Sequence, residues 1–101
     1  MATQFLLKSV IKTVTTAGTA EAVVSTTTPV VSVVFKAKVG NTGNIYVGDS
    51  DVSSSNPPLA PGEALSWMSS WQGQALSLSD VYVDSDVSGE GVDVYYTTGW
   101  L

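Results

Sequence analysis

The sequence predicts an all-β fold: a single compact β-sandwich or barrel of about seven to eight short, mainly antiparallel strands. In several stretches apolar and polar residues alternate with a period of two, as in half-buried strands. Short segments rich in Gly, Pro, Asn, Asp and Ser separate these stretches, and no stretch has the apolar period of a helix. With 101 residues, the chain is expected to form one domain over residues 1–101.

A repeated phrase is the most specific sign of a sheet. Residues 45–53 read Ile-Tyr-Val-Gly-Asp-Ser-Asp-Val-Ser, and residues 81–88 read Val-Tyr-Val-Asp-Ser-Asp-Val-Ser. In each copy a Tyr lies between two apolar residues, which is typical of a strand end, and an acidic turn follows. The two acidic turns would converge if both strands ended on the same side of a sheet.

The N-terminal part predicts an arm and a first hairpin. Residues 1–8 contain Phe-Leu-Leu ahead of the first convincing strand, so they are either an arm that packs on a neighbouring subunit or a strand of the chain's own sheet. Residues 9–16 and 20–25 are rich in Val and Thr and flank a turn at residues 17–19. This pattern predicts a hairpin.

Residues 30–39 give the clearest strand and lead into a second predicted hairpin. Gly-Asn-Thr-Gly-Asn at residues 40–44 tolerates positive φ, as a tight loop requires, and delivers the chain into residues 45–47. The residues of the strand that would share its core face are Val31, Val33, Phe35, Ala37 and Val39.

A long surface loop is predicted over residues 49–61, which are rich in Ser, Asp and Pro, because Pro removes backbone donors that a central strand needs. Pro61 and Gly62 fit the central pair of a type II turn. The remaining predicted strands are residues 63–69, 75–78, 81–83 and 92–97.

Charge composition excludes several partners and locations. The net charge is -5, with four Lys and no Arg, whereas phosphate binding requires clustered basic side chains, so no nucleic-acid partner is expected. The longest purely apolar runs are three residues long, so neither a membrane span nor a signal peptide is expected. The chain has no Cys, and its stability is expected to come from packing or from partner subunits.

The residue inventory also argues against catalysis. Without His or Cys, a Ser-His-Asp triad, a Cys-His pair and a zinc site are all excluded. The acidic turns supply carboxylates for acid-base chemistry, but small exposed turns offer no pocket that would raise a carboxylate pKa. We therefore expect no enzyme activity and no cofactor.

Calcium is the stronger possibility for the second acidic turn. Asp84, Asp86 and Ser88 occupy the first, third and fifth positions of an EF-hand-like loop, with Gly89 at the sixth. The twelfth position is Tyr95 instead of a bidentate Glu, and the flanks are strands. We expect solvated turns whose Asp side chains cap the backbone, with these three residues as a weak metal candidate.

Aromatic and apolar residues near the ends of the chain and after the Pro-Gly turn are the candidates for binding. Aromatic side chains commonly fill subunit interfaces, and a platform of Trp rings that stacks on sugars is the alternative. The candidate interface residues are Phe5, Leu6, Leu7, Trp67, Trp71 and Trp100.

Several short segments resemble the small all-β virion proteins of tailed bacteriophages. The segments are Gly-Thr-Ala-Glu-Ala-Val at residues 18–23, Asn-Thr-Gly-Asn-Ile-Tyr-Val-Gly-Asp-Ser at 41–50, Leu-Ala-Pro-Gly-Glu at 59–63 and Val-Tyr-Val at 81–83. The resemblance extends over roughly residues 13–96 and implies a capsid decoration or cement protein, or a small tail or baseplate component. It brings no catalytic motif.

The expected function is therefore that of a non-enzymatic capsid decoration subunit on the virion surface, synthesised in the host cytoplasm. Its expected partners are further copies of itself, most simply as a trimer, and the major capsid protein. Burial of apolar surface across capsomer boundaries would stabilise the assembled shell. The alternative is a carbohydrate-binding adhesin module at the tail or on the head surface.

Overall fold

The secondary structure of the described residues consists of nine strands and one 3-10 turn. The structure, a computed structural model, describes residues 5–69 and 76–99. The all-β class that the sequence predicts is confirmed. The strands are β1 (Phe5–Thr13), β2 (Glu21–Ala22), β3 (Pro29–Val30), β4 (Ser32–Ala37), β5 (Ile45–Gly48), β6 (Ala64–Met68), β7 (Leu76–Ser77), β8 (Tyr82–Ser85) and β9 (Gly91–Gly99), and the 3-10 turn is Leu78–Asp80.

The strands form three antiparallel sheets. The larger is a four-stranded sheet with the order β1-β9-β4-β6, and the second is a three-stranded sheet with the order β2-β8-β5. A short ladder joins β3 to β7. One apolar core contains residues of both main sheets, so the architecture is a small sandwich.

Alternation along the strands places the core. In β4 the side chains of Val33, Phe35 and Ala37 are buried, and in β9 those of Val92 and Val94 are buried. Because successive side chains point to opposite faces, these residues define the inner face of the four-stranded sheet. The buried residues that meet them from elsewhere in the sandwich are Val14, Val23, Val30, Ile45, Leu78, Val81 and Val83.

The first predicted hairpin is wrong, because its two strands belong to different sheets. β1 pairs with β9 over its whole length, whereas β2 pairs with β8. The turn at residues 17–19 carries the chain from one sheet to the other, with Gly18 at a positive φ of 86°. The Gly18 N–H donates to Asp84 Oδ1 at 2.9 Å, which ties the turn to the three-stranded sheet.

The second predicted hairpin is wrong for the same reason. β4 lies in the four-stranded sheet and β5 in the three-stranded sheet, so the Gly-Asn loop between them crosses the sandwich. The strand ends at Ala37, two residues earlier than the alternation predicts. Val39, expected in the core, is therefore 73% exposed. At the other end Val30 is buried and Val31, expected in the core, is not, because β3 ends at Val30 and β4 starts only at Ser32.

The segments expected to be an arm and a loop have different outcomes. Residues 5–8 belong to β1 and pair with β9, so the described part of the predicted arm is a strand of the chain's own sheet, which is the alternative that the sequence left open.

Residues 49–61 form the expected loop, with a single bridge between Leu59 and Ile45. Gly62 has a φ of 86° and the Glu63 N–H donates to Ala60 O at 2.9 Å, as in the predicted type II turn.

The two copies of the repeated phrase are neighbours in the three-stranded sheet. β5 and β8 pair antiparallel, with Tyr46 opposite Asp84 and Val47 opposite Val83. The turn after β5 therefore lies beside the start of β8, and the turn after β8 lies beside the start of β5. The two acidic turns are at opposite ends of the sheet and do not converge.

Candidate interaction surface

The outer face of the four-stranded sheet is the candidate functional surface. Since Val33, Phe35 and Ala37 point inward, Ser32, Val34 and Lys36 point outward from β4. The register carries this face across the sheet, because residues opposite one another lie on the same side. The hydrogen bond of 2.6 Å between Ser32 Oγ and Thr97 Oγ1 agrees with that assignment.

Three rows of side chains cross the outer face. No described strand or loop of the sandwich covers them in the way that the three-stranded sheet covers the inner face. The register gives the rows as Leu7, Thr97, Ser32 and Met68, then Ser9, Tyr95, Val34 and Ser66, then Ile11, Asp93, Lys36 and Ala64.

Six of the twelve side chains in these rows are apolar, and they alternate with polar side chains across the outer face. Leu7 is 76% exposed and Ile11 is 62% exposed, while Val34 and Tyr95, which are directly opposite each other, are also exposed. One ion pair lies at the end of this face, where Lys38 Nζ and Asp93 Oδ1 are 2.6 Å apart. Exposed apolar side chains gathered on one face of a sheet are typical of a surface that binds another protein.

The sequence-predicted interface residues do not form one cluster. Leu7 is on the outer face of β1, whereas Leu6 is on the opposite side of the same strand. Trp67 is in β6, at the other edge of the sheet, opposite Val33 and so on the inner side. Phe5 begins β1, and only its backbone pairing with Gly99 is described. Trp71 and Trp100 lie outside the described residues.

Sequence reasoning missed most of the outer face. Ile11, Val34, Met68 and Tyr95 are exposed apolar residues that were not among the candidates. The signal was present in the predicted strand 30–39, where Val34 shares the polar side with Ser32 and Lys36. An apolar residue on the side of a strand that should face water indicates a second apolar surface only when the neighbouring strands carry apolar residues on the same side. The sequence alone does not show which strands are neighbours.

The weak metal candidate has its oxygens directed to protein donors. Asp84 is buried, and its Oδ1 accepts the N–H groups of Gly18 and Ser85. Asp86 accepts from the Asn44 N–H and the Tyr46 hydroxyl, and Ser88 Oγ accepts from the Ala17 N–H. Over the described ranges no group of three or more acidic, His or Cys residues is placed to hold a metal ion. The Asp side chains therefore bind backbone and hydroxyl groups of other segments, and Asp84 is buried, whereas the sequence predicts solvated turns.

The Tyr46–Asp86 hydrogen bond is also an electrostatic contact. Its length is 2.9 Å between Tyr46 Oη and Asp86 Oδ1. The hydrogen bond to the Asp86 carboxylate, followed by burial, raises the pKa of Tyr46 above its usual value. The neutral hydroxyl therefore remains the donor at ordinary pH, and it fixes the start of β5 to the turn after β8.

Two other side chains hold the loop at residues 40–44 against the start of β9. Glu90 accepts from the N–H and hydroxyl of Thr42 at 2.7 and 2.8 Å and from the Gly43 N–H at 2.9 Å. The N–H groups of Gly43 and Thr42 hold the pKa of Glu90 below its usual value. Asn41 is buried and bonds to both the carbonyl and the N–H of Gly91.

A shallow depression of about 560 Å³ lies beside this loop. Its polar lining is already engaged within the chain, since Lys38 pairs with Asp93, Asn41 bonds to Gly91 and Glu90 holds Thr42. The depression therefore provides no array of unpaired groups that would recognise a small ligand.

No helix of the described residues is long and apolar enough to span a membrane.

No protein-family model, curated protein or solved structure matches this chain.

Proposed function

We propose that this chain is a non-enzymatic structural subunit of a tailed-bacteriophage virion, a capsid decoration protein that associates with copies of itself and with the major capsid protein. The observation that carries the proposal is the set of exposed apolar side chains on the outer face of the four-stranded sheet, Leu7, Ile11, Val34 and Tyr95. The virion location rests on the resemblance of residues 13–96 to small phage structural proteins.

The arrangement of charge supports binding by burial of apolar surface. Two of the four Lys residues are paired within the chain, Lys12 with Glu21 and Lys38 with Asp93. The central row of the outer face, Ser9, Tyr95, Val34 and Ser66, contains no charged side chain, and the charged Lys36 and Asp93 are in the next row. Burial of such a centre costs little desolvation, and each apolar Å² removed from water contributes about 25 cal/mol.

Quantitative mass spectrometry of purified virions tests the location. A decoration protein is expected at hundreds of copies per particle, because capsids present many equivalent sites. A handful of copies would contradict the capsid assignment and favour a tail or baseplate position. Absence from purified particles would contradict the virion proposal altogether.

A matched pair of substitutions tests the surface. Val34→Asp places a carboxylate at the centre of the outer face, whereas Val39→Asp makes the same change at an exposed position beyond the end of β4. We expect Val34→Asp to reduce incorporation into particles at least about tenfold and Val39→Asp to leave it unchanged. Equal incorporation of both folded variants would contradict binding through this face.

The carbohydrate-binding alternative has its own outcome in the same experiment. Trp67 is the described Trp available for stacking on a sugar ring. If Trp67→Ala left folding and incorporation intact yet abolished binding to a glycan array, the adhesin function would replace decoration.

A further inference from the structure

The two edges of the four-stranded sheet differ in how they are protected against pairing with another chain. Edge strands commonly carry Lys or Pro, which block such pairing. β1 carries Lys8 and Lys12, whereas β6 reads Ala-Leu-Ser-Trp-Met and has neither a charge nor a Pro. All five residues of β6 are exposed, and no described strand pairs with its far side.

The hydrogen-bond pattern shows which backbone groups of β6 face away from the sheet. The Ala37 N–H donates to Glu63 O, and the Ser69 N–H donates to Val31 O. In this register the odd-numbered residues of β6 bond to β4, because bonded pairs alternate along an antiparallel ladder. The backbone groups of Ala64, Ser66 and Met68 therefore point to the open edge.

We propose that β6 pairs with β6 of a second copy of this chain, antiparallel and centred on Ser66, to make one continuous sheet across a two-fold axis. In this register Ser66 faces Ser66 of the second copy, and Ala64 faces Met68. All the outward-pointing backbone groups of both strands find partners. If the register moved by one residue, backbone groups of β6 that already bond to β4 would lie opposite the outward-pointing groups of the second copy. A larger shift would leave some outward-pointing backbone groups without a partner.

The side chains of β6 are self-complementary in the same register. Leu65 lies opposite Trp67 of the second copy, at a pair that is not hydrogen-bonded, where side chains are closest. Aromatic and aliphatic pairs of this kind stabilise antiparallel strands. No like charges meet inside the strand pair, since the segment Ala64–Met68 is uncharged, although each copy carries a net charge of -5.

The buried area indicates a weak dimer in dilute solution. Leu65 is 45% exposed, Trp67 37% and Met68 74%. The pairing therefore buries at most roughly 400–500 Å² per copy, which is below the area of a standard interface and typical of a weak one. We expect a dissociation constant on the order of 10–100 µM, which the local concentration of copies on a shared surface would compensate.

This inference extends the self-association in the proposed function and replaces the expected trimer with a two-fold contact. It is tested on the free protein, so its failure is distinct from failure of binding to the capsid. Sedimentation equilibrium at about 150 mM salt, where charge repulsion between copies is screened, measures the association directly. A monomer at several hundred micromolar, or a trimer, would overturn the inference.

Charge substitutions at residue 66 test the two-fold axis itself. Ser66→Lys alone and Ser66→Glu alone place like charges opposite one another, so each variant is expected to associate at least about tenfold more weakly than the unaltered chain. An equimolar mixture of the two is expected to recover a heterodimer. The control is Ser54→Lys, the same change in the exposed loop at residues 49–61, which is expected to leave the dimer intact.

Cross-linking gives an independent readout, because the chain has no Cys. Opposite residues of a bonded antiparallel pair have Cα atoms about 5.5 Å apart, within the range of a disulfide. Oxidised Ser66→Cys is expected to run as a covalent dimer on a non-reducing gel, and the control Ser54→Cys as a monomer. Pairing through β6 would be contradicted by a dimer that survives Ser66→Lys or by a mixture of the two charge variants that does not associate. It would also be contradicted if the Ser66→Cys variant failed to cross-link, or if it cross-linked no more than the Ser54→Cys variant.

Discussion

Replacement of Asn41 by Ala tests how the loop between the two sheets is held. Asn41 Nδ2 donates to Gly91 O at 2.9 Å, and the Gly91 N–H donates to Asn41 Oδ1 at 3.3 Å. The side chain thus continues the ladder between β4 and β9, beside the bond of 3.1 Å from the Lys38 N–H to Gly91 O. In Asn41→Ala the Gly91 carbonyl keeps the Lys38 donor, but the buried Gly91 N–H loses its acceptor.

One buried donor without a partner costs about 1–3 kcal/mol, so we expect a loss of about 2 kcal/mol in the free energy of unfolding. In a domain of this size that corresponds to a fall in Tm of about 8–16 °C. Urea unfolding followed by Trp fluorescence measures the loss. The control is Asn56→Ala in an exposed loop, where Asn56 accepts one bond of 2.9 Å from the Ser53 N–H and about 0.5 kcal/mol is expected.

Asn41→Asp separates the two hydrogen bonds. The carboxylate can still accept from the Gly91 N–H, but it presents an oxygen to Gly91 O and lies beside Glu90 and Asp93 in the same depression. The pKa of the new Asp is expected to be raised, so the penalty grows as pH rises and shrinks where the acid is protonated and can donate. A free energy of unfolding for Asn41→Ala within about 0.5 kcal/mol of that of the unaltered protein would refute this role of Asn41. So would a difference in stability between Asn41→Asp and the unaltered protein that stays constant between pH 7 and pH 4.

Three further predictions concern the same sandwich. Gly91→Ala is expected to lower the free energy of unfolding by about 3 kcal/mol or to prevent folding, because a Cβ there would contact Lys12 O and lie 2.9 Å from Thr13 Cα. The control is Gly40→Ala, where a Cβ would have no atom within 4 Å and no change is expected in the same urea titration. Because the pKa of Glu90 is lowered in the folded chain, its carboxylate stabilises the fold at pH values above the unfolded pKa of about 4.5. This stabilisation is lost as the pH falls through the lower pKa of the folded state. Glu90→Gln should therefore lower Tm at pH 7 and flatten its decline below about pH 4.5, and an unchanged acid limb would contradict the role of this carboxylate. EDTA is expected to leave Tm unchanged, because Asp84 and Asp86 already accept protein donors. A fall in Tm with EDTA that calcium reverses, and that is absent from the double variant Asp84→Asn, Asp86→Asn, would instead show a metal site.

The sequence predicts the strands better than their partners. Alternation at Val33, Phe35 and Ala37 identifies a core strand because burial and backbone geometry act over a few residues. Pairing depends on which way a loop leaves the sheet, and that depends on contacts distant along the chain, such as Gly18 with Asp84. Both predicted hairpins were therefore wrong, although the strands β4 and β5 that one of them joined are present.

The candidate surface was predicted only in part for the same reason. Leu7 and Trp67 were chosen for their residue type, and both are in exposed strands. The outer face as a whole required the register that brings Leu7, Tyr95 and Met68 onto one side of the sheet. No local pattern in residues 5–11 indicates that their neighbours are residues 93–99.

The position of β9 affects how the protein is made. β9 is the last of the described strands to leave the ribosome, yet it lies in the interior of the four-stranded sheet, between β1 and β4. Until it emerges, the nine residues of β1 have no strand to pair with, and Val10, which packs against the core of the folded chain, remains in solvent. The sheet is therefore completed in a late step, and a chain that ends before residue 91 has an unpaired β1 and is prone to aggregate.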